Sequence, residues 1–421
     1  MGRFRTESYR WVVVAAGVPV LMAAIGLGRF AFGMQLPGMQ AGVHLSSAQM
    51  GLMGTCNFGG YLIAMFLSPF LVRRYRPRLN IVAGLLLVGG SLLMMSRCHV
   101  FLSLAICFTM TGLGTGVANI AMMALLTWWF SNEERGKATG IVLCGNGLGI
   151  VLAGVLIPHF NRVDGIDGWR SGWITLGLIG VAVAAISGML LRNDPRELGL
   201  QPENRLPTAL ESVSGAGKLT GAPGALARLS FLYMVVGVTS AIYGAFIVFS
   251  MIHEYGLSET TAGFYWSWMG ICSLFSGVGF GALSDRIGRR YSLAVVFGVY
   301  TVAFALAGFK LGNGAIFVSV LLFGFSIFGS VAIVVTAMGD YFEPSRVAHA
   351  LSFAFIFSAV GQTVGPVVAG VIAEPQGVFT RAYLISALIT AVAALFSLTL
   401  PTVARREKTM DNETLAERTQ S

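Results

Sequence analysis

Gly281-Ala-Leu-Ser-Asp285-Arg286-Ile-Gly288-Arg289-Arg290 separates two apolar runs, residues 261–283 and 291–309. Three arginines, one acid and a glycine turn are pressed between stretches each long enough to matter to a bilayer. A helix needs about 20 mostly apolar residues to cross a hydrocarbon core of about 30 Å, and basic residues collect in short loops on the cytoplasmic side. The string therefore reads as a cytoplasmic loop between two membrane-crossing helices.

Working outward, similar runs fall at about residues 11–36, 48–72, 79–96, 100–129, 138–160 and 170–191, then, after a break, at 229–252, 261–283, 291–309, 313–338, 349–373 and 381–400. The pattern predicts an all-α polytopic membrane protein of twelve transmembrane helices, six in residues 1–192 and six in 229–400. Between them, residues 193–228 hold Pro195, Pro202, Pro207 and Pro223 with a Ser/Gly/Ala-rich stretch, the composition of a linker. Residues 401–421 form a short polar tail. Composition agrees: the 421 residues have a mean hydropathy of +0.75 and are 55% hydrophobic and only 11% charged, whereas about a quarter of a soluble domain is charged. The first apolar run extends too far for a cleavable leader, and the basic N-terminus reads as a cytosolic anchor.

Charge placement orients the chain. With both termini inside, 22 of the 28 Lys and Arg fall in cytoplasmic segments, five (Arg97, Arg162, Arg170, Lys310 and Arg381) fall outside, and Arg29 lies within the first run. The net charge of +9 is thus explained by topology, and no nucleic-acid partner is expected. The five cysteines are scattered, without the spacing of a zinc or disulfide motif. No metal or other cofactor is expected, and no HExxH or GxSxG context suggests an enzyme.

The two sets of runs also match each other. At an offset of 212, Leu45-Ser46 and Gly51 fall on Leu257-Ser258 and Gly263, Gly112 on Gly324, and Phe130 on Phe342. At 216, Gly145, Gly149, Ala153 and Gly154 fall on Gly361, Gly365, Ala369 and Gly370. Ordered matches of this kind argue for duplication of a six-helix unit.

With six plus six helices and a basic loop after the second helix of each half, the chain resembles the major facilitator superfamily. The string quoted first matches its G-x-L-x-D-R-x-G-R-R signature. The resemblance implies alternating-access transport and a gating role for Gly281, Asp285, Arg286, Gly288, Arg289 and Arg290, which would hold the cytoplasmic ends of the halves together in one conformation. The first-half counterpart, Ser68-Pro-Phe-Leu-Val72-Arg73-Arg74-Tyr75-Arg76-Pro77, keeps the arginines without the acid or the glycine. Trp129-Phe130 through Ala138 and Arg192 through Pro202 resemble organic-anion and monocarboxylate carriers. Gly26-Leu-Gly28-Arg29-Phe30 with Leu36-Pro37 resembles the bacterial YbfB/YjiJ-like branch, which implies a bacterial inner membrane. Phe108 stands where many proton-coupled members carry arginine, which disfavours a proton-driven drug exporter.

A charge inside a membrane costs about 2.5 to 3.5 kcal/mol on insertion scales and marks function by default. Arg29 lies roughly 27 Å along the first helix at about 1.5 Å per residue, so it either reaches the outer headgroups or faces a central cavity. In the cavity its planar fork of donors suits a carboxylate. Asn57, Tyr61, Asn119, Asn146 and Gln362 lie on helices that form the cavity in the superfamily, as do Tyr233 and Tyr243, and all are candidates for substrate contact or for interhelical hydrogen bonds. No Asp or Glu lies mid-helix, so no carboxylate relay is expected, and any coupling proton would travel with substrate and Arg29. The expected partner is a small organic anion, a mono- or dicarboxylate, carried by a monomer in the bilayer; export of a neutral or amphipathic compound is the alternative.

Overall fold

The computed structural model describes residues 2–198, 223–342 and 344–401. Most of the linker and nearly all of the tail lie outside the described residues, as does Glu343. Among the described residues the regular structure is helical: α1 (Gly2–Leu21), a π-helical stretch (Met22–Phe30), α2 (Ala31–Val43), α3 (Ser47–Met95), α4 (Phe101–Trp129), α5 (Asn132–Asp164), α6 (Gly168–Leu190), α7 (Pro223–His253), α8 (Glu259–Ile287), α9 (Arg289–Gly308), α10 (Asn313–Ser326), α11 (Gly329–Tyr341), α12 (Pro344–Ala373) and α13 (Thr380–Ser397).

Among the described residues, ten stretches are long and apolar enough to span a membrane. Two are of double length. Ser47–Met95 covers two sequence runs and contains one non-helical residue, Arg76, at φ 60° and ψ 155°. Proline at 77 disfavours the helical region for the residue before it. The Asn80 amide covers the carbonyls freed there, donating to Leu71 at 3.0 Å and Arg76 at 2.9 Å. Glu134–Leu190 likewise contains α5 and α6, joined through the short 3-10 turn Gly165–Asp167. The run at 313–338 divides into α10 and α11 around Ile327 and Phe328.

The sequence matches at two offsets correspond to matching contacts. A Cβ on Gly145 would strike Val18 and Met22, and one on Gly361 would strike Met234 and Val238, their equivalents 216 residues on. Gly112 packs on the Asn57 backbone, and Gly324 on that of Met269, 212 residues on. Leu45-Ser46 and Leu257-Ser258 are helix starts: Ser46 and Gln49 form a capping box, and Ser258 accepts from Thr261 N at 3.2 Å. Small residues recur because, between lipid-embedded helices, close backbone approach supplies the packing that water would otherwise drive.

Residues before 199 meet those after 222 along α3–α12, α5–α8 and α2–α7. Gly51 packs on Pro366 and Gly370, and Gly263 on Gly154 and Pro158. At this end polar ties join the halves: Ala48 N donates to Glu374 at 2.6 Å, and Arg162 donates to Thr260 at 2.6 Å. The opposite end, where the basic loops lie, differs. A Cβ on Gly136, Gly140, Gly281 or Gly339 would meet nothing within 4 Å, and Phe66, Phe70, Phe275 and Val278 are exposed. The halves are closed against each other at the end away from the basic loops.

Candidate functional site

The π-helical stretch Met22–Phe30 builds the site. Widened turns of this kind release backbone carbonyls and occur often at functional sites. Here the released groups have side-chain partners: Thr115 donates to Ala24 O at 2.8 Å and the Asn57 amide donates to Gly28 O at 3.4 Å, while the same amide also donates to Phe108 O of α4 at 3.3 Å. Gly26 lets the stretch lie directly on the Gly149 backbone of α5. The geometry carries Arg29 toward the other half of the molecule.

Arg29 does not reach outward to headgroups. Its Nη1 donates to Gln362 Oε1 on α12 at 3.3 Å, across the boundary between the halves. Its guanidinium carbon lies 4.6 Å from the Phe58 ring centroid and 4.3 Å from that of Tyr61, contacts that favour a desolvated cation. Nε and Nη2 are buried and have no partner. These two nitrogens share one edge of the guanidinium, the edge that matches the two oxygens of a carboxylate.

The other candidates divide between this cluster and the packing. Asn119 donates to the Tyr61 hydroxyl at 2.9 Å, and Gln362 Nε2 to Ser358 Oγ at 3.3 Å, so Asn119, Tyr61, Arg29, Gln362 and Ser358 form one connected network. Tyr233 packs edge-on to Phe355, with its hydroxyl near Ser358. Asn57 borders the cluster, and its Oδ1 is buried without a partner. Asn146 is also buried with an unpartnered Oδ1, but its backbone packs against Gly26 and it does not join the network. Tyr243 is placed elsewhere. Its hydroxyl meets Ser319 Oγ at 2.6 Å and its ring stacks on Phe323, inside the packing of the second half. Helix number alone could not distinguish Tyr243 from Tyr233, because the direction of each side chain depends on helix rotation.

Four residues that the sequence reading passed over belong here: Phe58, Ser358, Ser240 and Gly244. A cavity of about 30 Å3 is lined by Arg29, Phe30, Phe32, Gly54, Asn57, Phe58 and Phe108 with Ser240, Ala241, Gly244 and Ala245 of α7. That is room for about one water, so loading a substrate requires the helices to part. Phe58 was detectable in principle, since it lies three residues before Tyr61 on the same helix face.

In the motif quoted first, Gly288 turns at φ 87°, a conformation open to glycine and strained for other residues. Arg289 donates to Asp285 at 2.7 Å, to Ser284 at 2.8 Å and to Asp340 on α11 at 2.6 Å. Arg290 lies over the Tyr291 ring, and Arg286 is exposed. These bonds stay within the second half. Arg76, 212 residues before Gly288, occupies the corresponding positive-φ position without being glycine.

A family profile described as uncharacterised MFS-type transporter YbfB matches residues 21–398. The chain belongs to this family. Among relatives of this chain, the oxalate:formate antiporter of Oxalobacter formigenes is 25% identical over 81% of this chain and 80% of its own length. The agnestins efflux protein AgnL12 of Paecilomyces divaricatus is 25% identical over 84% and 78%. The YbfB-type fold here is also that of a bacterial homologue of the human lysosomal transporter Spinster in its inward-facing, unoccupied conformation, with a TM-score of 0.71 at 18% identity, covering 93% of this chain and 97% of the other. The protein is a polytopic membrane transporter of the major facilitator superfamily.

Proposed function

We propose that this chain carries small organic anions across a bacterial inner membrane by alternating access, with Arg29 as the anion anchor. One observation carries the proposal: a half-buried arginine at the boundary between the halves offers two buried, unpartnered nitrogens along the edge of its guanidinium. An intramembrane cation with free donors is costly unless a ligand completes it. The similarity to the oxalate:formate antiporter supports the anionic class. On this reading the double-length stretches divide at Arg76 and at the turn Gly165–Asp167, giving twelve crossings with both termini cytoplasmic. Residues 1–192 and 229–400 then move against each other as two bodies of one monomer, and the state described opens to the cytoplasm. The Asp285–Arg289–Asp340 cluster is free to meet the first half in the opposite state, which is the gating role proposed for the motif.

Uptake into proteoliposomes tests the anchor. Arg29→Gln is expected to abolish transport of anionic substrates while leaving folding and accumulation normal. Unchanged transport of every anion tried would remove the proposal. The alternative, export of a neutral or amphipathic compound, draws on the apolar lining of the cavity and on the efflux relative, and it predicts that efflux survives Arg29→Gln.

A further inference from the structure

Charge balance around Arg29 narrows the anion further, in an inference that rests on the anchor reading above. We propose that the site selects monocarboxylates and rejects dianions, whether dicarboxylates or phosphate esters. Arg29 is the sole charged side chain among the described residues lining the cavity. One carboxylate on its free edge makes a neutral, bidentate pair. A second negative charge would then lie among Phe30, Phe32, Phe108, Ala241 and Gly244, with no cation to meet it.

The polar groups that remain do not help a second anion. The Ser240 hydroxyl already donates to Val236 O at 2.6 Å. The Asn57 amide nitrogen is committed to two backbone carbonyls, which fixes its Oδ1 as the group left free. A free carbonyl oxygen accepts hydrogen bonds and repels carboxylate, so it suits a hydroxyl on the ligand and penalises a second ionised group. Once the helices part, an apolar tail fits best on the α7 side, where a Cβ on Gly244 would meet only Phe30 Cε1, at 3.9 Å.

The test uses the full-length protein in detergent, with propionate, 2-hydroxypropionate and succinate as probes and thermal stabilisation as the readout, since a ligand that binds the folded carrier raises its melting midpoint. At neutral pH both monocarboxylates are expected to stabilise the protein, with succinate at least tenfold weaker in apparent affinity. Titrating succinate to its monoanion is expected to recover most of that factor, and Arg29→Gln to lose every shift. Succinate dianion binding as tightly as propionate, with both lost in Arg29→Gln, would overturn monoanion selectivity while leaving Arg29 as an anion anchor. Shifts that persist in Arg29→Gln, or no shift with any of the probes, would remove the anchor and this inference with it.

Discussion

Arg29 is held by geometry as much as by charge, so a lysine in its place should serve poorly. Lysine keeps the cation but loses the planar edge and the contacts with Phe58 and Tyr61. Arg29→Lys is expected to retain binding of anions while weakening it about tenfold or more, at about 1.5–3 kcal/mol for a charged hydrogen bond; equilibrium binding to purified protein reads this directly. Gly112 gives a second prediction. Its added Cβ would run into the Asn57 carbonyl, so Gly112→Ala should destabilise the protein by about 1–3 kcal/mol and disturb the residue that borders the site. Gly136→Ala, with open space around it, is the matched control, and melting in detergent compares the two.

At the scale of helices, the break at Arg76 is the clearest asymmetry between the repeats. Its counterpart Gly288 adopts positive φ freely, whereas Arg76 holds φ 60° and ψ 155° with a side chain. A non-glycine residue there costs on the order of 1–3 kcal/mol, and its ion pair with Glu197, at 3.6 Å on an exposed arginine, returns little. Arg76→Gly is therefore expected to raise the melting midpoint, with a gain of about 1 kcal/mol. A lower midpoint would show that the arginine contributes more than its conformation costs. The capping box of Ser46 and Gln49 acts in the opposite sense: Ser46→Ala should destabilise the start of α3 by about 1 kcal/mol.

For the whole molecule, the closed end should be a barrier that must open during transport. Ala48 and Glu374 meet across it, so cysteines placed at both, in a background without Cys56, Cys98, Cys107, Cys144 and Cys272, can be joined by a short cross-linker. Cross-linking is expected to stop transport in proteoliposomes, and cleaving the linker to restore it. Full transport by completely cross-linked protein would show that the halves need not part at this end.

Helix existence and family were legible in the sequence because a bilayer demands long apolar runs and segregated charge, and both are one-dimensional properties. Glycines at fixed offsets were legible for a related reason, since each repeat must bring backbones together at the same places. Position along the helix left Arg29 with two environments. Only the tertiary structure chose between them, because the widened π-helical turn rotates its side chain toward Gln362, 333 residues away in the chain. The orientations of α3 and α12 likewise bring Phe58 and Ser358 to the site, and that of α7 leaves Tyr243 in the packing. The direction a side chain faces depends on helix rotation and on partners far away in sequence, which no local pattern encodes.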